Sequence, residues 1–201
     1  MRRGKIIALE GIDGSGKTTI SNMLYHTMRN QKVPIYYTFE PTYSRVGSII
    51  HKILRGDMKT SPAFLALMFA SDRVYHFDEE IWPIVCEGTN VIVDRYIHSS
   101  IAYQGVALRD EKWVRLINQR VPPPDLGLYI DIEPREAVKR LLAMGRVRKP
   151  TIFEKIRFLT EVRRAYEAIV SRGELIEVDG NGDKEEVLSR ARKIVATKLG
   201  I

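Results

Sequence analysis

Apolar and polar positions along the chain follow two rhythms. Short, nearly unbroken apolar runs lie at 5–9, 33–39, 90–93, 126–132 and 175–178. Runs of this length suit strands buried on both faces, as a parallel sheet requires. Between them, apolar residues recur at three- and four-residue spacing. Ile20, Met23, Leu24 and Met28 form one such stripe, Ile49, Ile50, Ile53 and Leu54 a second, and Ala137, Val138, Leu141 and Leu142 a third. Longer stripes run from Phe64 to Ile81 and from Phe153 to Ile169. This spacing predicts amphipathic helices that cover the sheet.

Punctuation sharpens the element ends. Ser61 before Pro62 predicts a capped helix start with proline at the first helical position. Pro34 lacks an N–H and belongs at a strand start or on an edge strand. Pro83 is expected to kink or end its helix, and Val121-Pro122-Pro123-Pro124-Asp125 to form a stiff connector. Asp183 is placed to cap the last helix. Strands alternating with helices predict an α/β fold with a five-stranded parallel sheet and helices on both faces, in one unit spanning 1–201.

Composition narrows the class. The chain has 201 residues, 44% hydrophobic, and a formal net charge of +7. That charge suits any acidic partner, but the basic residues are dispersed and not interleaved with aromatics, so nucleic acid is not expected as a partner. No apolar run is as long as a membrane span, and Met1-Arg2-Arg3 leads into the first strand without a cleavable signal. A cytoplasmic protein with no membrane partner is expected. The single cysteine, Cys86, excludes an internal disulfide and is expected to pack near a helix end.

The chemistry enters at Gly11-Ile12-Asp13-Gly14-Ser15-Gly16-Lys17-Thr18, which sits between the first apolar run and the first helical stripe. Glycine, four free positions, then Gly-Lys-Thr is a phosphate-binding pattern, and strand, loop, helix is the order it requires. Gly11, Gly14 and Gly16 allow successive N–H groups to turn toward phosphate oxygens, and the helix N-terminus adds partial positive charge. Lys17 is expected to reach the β- and γ-phosphates, and the Thr18 hydroxyl to ligate Mg²⁺.

Further polar groups fall at the ends of other strands, where ligands bind in such folds. Glu40-Pro41 follows the second strand, Asp94-Arg95-Tyr96 the third, and a turn around Gly180 the fifth. Tyr96, Ser99, Ser100 and Tyr103 fall at i, i+3, i+4 and i+7, a hydroxyl-bearing stripe expected to line a pocket. Met144-Gly145-Arg146-Val147-Arg148-Lys149-Pro150 reads as a basic loop able to close over phosphates.

These residues resemble the thymidylate kinases, from the first strand to the last helix. Gly11 to Thr19 resembles that family's phosphate loop, Phe69-Ala70-Ser71-Asp72-Arg73 its mid-helix substrate segment, and the run from Asp94 through Gly105 its signature. The resemblance implies a P-loop nucleoside-monophosphate-kinase fold with a short basic lid at about 144–151. It implies transfer of the γ-phosphate of ATP to dTMP with Mg²⁺, and a homodimer with contacts on the helices at 63–81 and 94–105.

It also implies site roles. Gly11, Gly14, Ser15, Gly16, Lys17, Thr18 and Thr19 would hold the donor, and Thr18 with Asp94 the metal. Asp13 would hold the acceptor's 3′-hydroxyl or the metal shell, and Glu40 and Pro41 would border the acceptor. Phe69 would stack on thymine, Arg73 donate to its carbonyl, Ser100 or Gln104 lie near the ring nitrogen, and Tyr103 pack under the sugar. Arg95 would bridge the two phosphates. With Gly14 where some members carry arginine, the lid would supply charge through Arg146 and Arg148, with Lys149 an alternative. His51 stands where bacterial members carry an arginine for the acceptor phosphate, and Arg45 or Arg55 could substitute.

Two readings compete. One is a P-loop kinase for another nucleoside monophosphate or a deoxynucleoside, and the other is a non-catalytic nucleotide-binding switch. The tyrosine and serine stripe beside Arg95 argues against the switch.

Overall fold

The computed structural model describes residues 3–145 and 152–200. Arg146, Arg148 and Lys149 lie outside the described residues.

The strands are β1 (Ile6–Glu10), β2 (Ile35–Phe39), β3 (Asn90–Asp94), β4 (Leu126–Asp131) and β5 (Ile176–Asp179). The helices are α1 (Lys17–Asn30), α2 (Arg45–Arg55), α3 (Pro62–His76), α4 (Trp82–Cys86), α5 (Ile97–Leu108), α6 (Glu111–Asn118), α7 (Pro134–Ala143), α8 (Ile152–Ser171) and α9 (Lys184–Leu199). The described strands form one parallel sheet in the order β2-β3-β1-β4-β5. Pro34 precedes an edge strand, as its missing donor demands. Because the strands run the same way, their carboxyl ends share one rim. β1 is central, with Ala8 in register with Val93 on one side and Gly127 on the other.

Side chains of a strand alternate between faces, and the core divides accordingly. Ile7 and Leu9 of β1 face α1 and α9, packing with Ile20, Leu24, Ala191 and Val195. Ile6 and Ala8 face the other way, toward Phe77, Ile81 and Val85. On that second face α8 buries Leu159, Val162, Tyr166 and Ile169 against Tyr129 of β4 and Ile101 of α5.

Local signals set the helix ends. Ser61 Oγ accepts from the Phe64 N–H at 3.2 Å, with Pro62 as the first helical residue. Asp183 accepts from the N–H groups of Glu185 and Glu186, and Glu186 accepts in return from the Asp183 N–H. Pro83 lies within the first turn of α4 and does not stop it. The chain between α3 and α4 widens into a π turn at Phe77–Ile81, where the Trp82 N–H reaches the Phe77 carbonyl, and α4 then continues through the proline. The wide turn steps the ladder past a residue with no donor to give. Cys86, expected to pack inside, is exposed at the end of α4.

One buried carboxylate ties the rim together. Glu10, at the end of β1 and fully buried, accepts from the N–H groups of Tyr96 at 2.9 Å and Ser99 at 3.2 Å, from Ser99 Oγ at 2.5 Å, and from Tyr166 Oη at 3.0 Å. This carboxyl group satisfies buried donors at the start of α5 and fixes that helix against the sheet.

Candidate active site

The loop after β1 borders a cavity of about 780 Å³, lined by Asp13 through Ile20 together with Arg95, Arg140, Lys155 and Lys184. Gly16 caps α1 in the left-handed region at φ +92° and has no capping side chain of its own; the Lys17 N–H makes only a long 3.4 Å bond to Ser15 Oγ, so the helix N-terminus faces the cavity as an anion site. Gly14 also sits at φ +84°, and a Cβ on it would lie 2.5 Å from the Ala137 carbonyl. An arginine therefore has no place at position 14, and any added cation must come from elsewhere. Gly11, expected as a donor contact, does not line the cavity. It lets the chain turn off β1, where a Cβ would meet the Ile130 carbonyl at 2.8 Å.

Lys17 is 7% exposed, with Nζ 3.5 Å from the Ile12 carbonyl. Burial and the neighbouring Arg95 cation push its ammonium down to about 8, against the pull of Asp13, Asp94 and Glu10. A polyphosphate entering the loop supplies the counter-charge that the buried ammonium lacks.

Thr18 and Asp94 meet on the rim. Thr18 Oγ1 donates to Asp94 Oδ2 at 2.5 Å, while the buried Asp94 Oδ1 has no partner among the described residues. An unpartnered carboxylate oxygen beside a hydroxyl is a hard donor set that fits Mg²⁺, which is held by few protein oxygens and completes its shell with phosphates and water. Among the described residues there is no group of three or more His, Cys, Asp or Glu side chains arranged as a self-contained metal cage.

A second cavity, of about 300 Å³, opens beside the first. Glu40, Pro41, Phe69, Arg73, Ser100, Tyr103 and Gln104 all line it, as expected of an acceptor site. Phe69 and Tyr103 are partly exposed into it, and Tyr103 meets Phe158 edge-on with ring centres 6.0 Å apart. Arg73 is only 1% exposed and largely engaged inside the protein. Its guanidinium holds Glu40 at 2.7 Å and Ser100 at 3.0 Å, and donates to Asn118. Much of its donor capacity is thus spent fixing the wall, which limits direct donation to a base. Glu40 in turn accepts from His76.

Asp13, Arg95 and Lys155 are the described residues that line both cavities. Asp13 Oδ1 accepts from Arg95 at 2.5 Å and Oδ2 from Lys155 at 2.9 Å. Burial would raise the Asp13 carboxyl, but Arg95, Lys17 and Lys155 together hold it well below the usual carboxylate range. Arg95 lies at φ +70°, a conformation disfavoured for a side-chain-bearing residue and found at sites whose surroundings fix it. Here Ser99 Oγ accepts from it at 3.0 Å and the Tyr103 ring lies 5.0 Å beneath it. Tyr103 Oη accepts from the Asp13 N–H at 2.7 Å, joining the wall of one cavity to the loop of the other.

Some expectations fail. Tyr96 is the residue before α5, in an extended conformation, and its ring is fully buried among Phe77, Val91 and Val93. It does not line the pocket with Ser99, Ser100 and Tyr103. His51 stacks on Tyr43 and bonds the Thr42 carbonyl at 3.1 Å, while Arg45 is exposed and Arg55 pairs with Asp57. None of the three lines either cavity. Of α5, residues 98–102 and Gly105 are buried within the chain.

Other residues were missed. Lys155, Arg140 and Lys184 fall on the polar sides of amphipathic helices, and Glu10 just outside the apolar run at 5–9. The available signal was position. Lys155 falls in the first turn after the basic loop, and Glu10 directly precedes the glycine turn.

Comparison with known proteins agrees with this geometry. The family model for thymidylate kinase matches residues 9–191. A probable thymidylate kinase of Pyrobaculum aerophilum is 37% identical over 190 residues, covering 94% of this chain and 95% of that protein. Probable thymidylate kinase 1 of Saccharolobus solfataricus is 37% identical over 197 residues, covering 97% and 98%. A probable thymidylate kinase of Pyrobaculum calidifontis is 42% identical over 161 residues, covering 80% and 79%.

Proposed function

This chain belongs to the thymidylate kinase family, and from that premise we infer how its two cavities perform the reaction. The enzyme transfers the γ-phosphate of ATP to dTMP, giving dTDP and ADP. The observation that carries the reading is the junction of a phosphate-loop cavity and an aromatic-walled cavity at Asp13 and Arg95.

ATP binds with its phosphates on N–H groups of the glycine turn and the first turn of α1 and against Lys17. Mg²⁺ would be held by Thr18 and Asp94, and there it would neutralise charge on the donor phosphates. The acceptor's thymine lies against Phe69 between walls bearing Ser100 and Gln104. Tyr103, held by the Asp13 N–H, crowds the sugar. An acceptor phosphate oxygen, already anionic at neutral pH, attacks the γ-phosphorus, and the bond to the bridging oxygen of ADP breaks. No general base is required. Arg95 contributes fixed donors and permanent charge where the phosphoryl oxygens crowd together, and its contacts to Asp13, Ser99 and Tyr103 hold it there in advance.

The chain is read as one kinase domain over 1–201 with its lid proposed at about 144–151, from which Arg146 and Arg148 would add charge. It is proposed to act in the cytoplasm as a homodimer, through the stripe of α3 on which Phe64, Leu67 and Tyr75 are exposed. No helix of the described residues is long and apolar enough to cross a membrane. An ADP-release assay across nucleoside monophosphates, dUMP included, and deoxynucleosides tests the acceptor. dTMP is expected to be preferred, and equal or greater turnover with another acceptor counts against the assignment.

A further inference from the structure

Charge at the junction of the two cavities is the observation that goes furthest. A phosphoryl group moving from the donor cavity to the acceptor cavity must pass the residues common to both. Among the described residues these are Asp13, Arg95 and Lys155. Arg95 is already accounted for, and Lys155 is not.

Lys155 rises from the first turn of α8, with its side chain 29% exposed, and bonds Asp13 at 2.9 Å. Asp13 does not need it for neutralisation, since Arg95 holds the other carboxylate oxygen at 2.5 Å and Lys17 stands close behind. Three cations therefore surround one carboxylate before any phosphate arrives. Cations gathered at the point of transfer suit a transition state whose negative charge is spread over the γ-phosphoryl oxygens. Position 14 cannot supply that charge, because a side chain there meets the Ala137 carbonyl.

We propose that Lys155 is a catalytic residue of the transfer, a third cation contacting the migrating phosphoryl from α8. The inference rests on the proposed function and names a further group of the same site. In the step, the acceptor oxygen–phosphorus bond forms and the bond from the γ-phosphorus to the β–γ bridging oxygen breaks, its electron pair leaving with ADP. Lys155 remains an ammonium throughout, exchanging Asp13 for a phosphoryl oxygen, and no proton moves. Asp13 stays paired with Arg95, so releasing Lys155 leaves no bare carboxylate.

The test is steady-state kinetics with saturating ATP, Mg²⁺ and dTMP on Lys155→Met, Lys155→Arg, Asp13→Asn and the Asp13→Asn/Lys155→Met double variant. Lys155→Met keeps the apolar stem and is expected to lower kcat by about 100-fold with KM changed less than about threefold, the signature of contact made in the transition state. Lys155→Arg retains charge and is expected to recover at least about a tenth of wild-type kcat. If Lys155 acted only by holding Asp13, its removal would cost nothing more once Asp13→Asn is in place. We expect a further loss of at least about tenfold in that background. A kcat for Lys155→Met within about threefold of wild type, a loss confined to KM, or no further loss in the double variant would each overturn the proposal. Wild-type enzyme that fails to turn over dTMP would instead overturn the function on which it rests.

Discussion

Thr18 Oγ1 and Asp94 Oδ2 meet at 2.5 Å, joining the start of α1 to the end of β3, and leave Asp94 Oδ1 buried without a partner among the described residues. A buried, unpartnered carboxylate oxygen is costly unless a ligand completes it. Chelation of divalent ions is therefore expected to abolish turnover, with recovery on adding Mg²⁺. Asp94→Asn is expected to raise the Mg²⁺ concentration for half-maximal rate by at least about tenfold. Mg²⁺ titrations of both proteins check this, and an unchanged midpoint would remove Asp94 from the metal site.

Arg95 is held in the left-handed region with its guanidinium already aimed by Asp13 and Ser99. Such preorganisation acts on the transition state more than on the bound substrates. Arg95→Ala is expected to lower kcat by about 10²–10³-fold, well beyond any rise in KM. Effects confined to KM for either substrate would assign Arg95 to ground-state binding instead.

The wall of the smaller cavity, the proposed acceptor site, rests on a buried ion pair. Arg73 and Glu40 have side chains 1% and 2% exposed and are 2.7 Å apart. Removing one partner strands the other, so Arg73→Ala is expected to destabilise the fold by about 3–5 kcal/mol. It is also expected to raise KM for dTMP while leaving KM for ATP nearly unchanged, because Arg73 lines the acceptor cavity and not the donor cavity. Denaturant unfolding and two-substrate kinetics separate the two effects. Equal shifts in both KM values would show that the wall does not serve the acceptor alone.

His76 couples the same wall to pH. Burial opposes its charge, but Glu40, bonded at 3.2 Å, with Glu80 and Asp72 nearby, raises the imidazole above its ordinary value. Thr38 Oγ1 lies 2.8 Å from the other ring nitrogen. A raised folded value means that the folded chain holds the proton more tightly than the unfolded one. That stability is fully present below about pH 6.5 and is lost as pH rises through the folded value. Urea midpoints are expected to fall over that upward window in wild type, and the fall to be smaller in His76→Gln. Parallel profiles in the two proteins would dissociate His76 from the effect.

The sequence showed what local backbone chemistry determines. The glycine turn after β1 works through its own N–H groups, and Asp94-Arg95 stands at a strand end whose position the apolar run already marks. Phe69 and Arg73 share a helix face by spacing alone, and both line the smaller cavity. Tyr96 was misread because the helical spacing was extended one residue too early. As the extended residue before α5, it sends its ring inward, off the stripe that Ser99, Ser100 and Tyr103 share. Lys155 was illegible for another reason. Its meaning lies in a contact with Asp13, 142 residues away, and periodicity sees only neighbours. The engagement of Arg73 by Glu40, Ser100 and Asn118 likewise depends on separate elements meeting.

The central claim is that phosphate passes directly between two nucleotides at the Asp13–Arg95 junction. Following ATP labelled in its γ-phosphate through turnover with dTMP and Mg²⁺ tests it most directly. The account predicts label in the terminal phosphate of dTDP, one for each ADP formed, with none left on the protein. Label released as inorganic phosphate, or ADP formed at the same rate without dTMP, would contradict it.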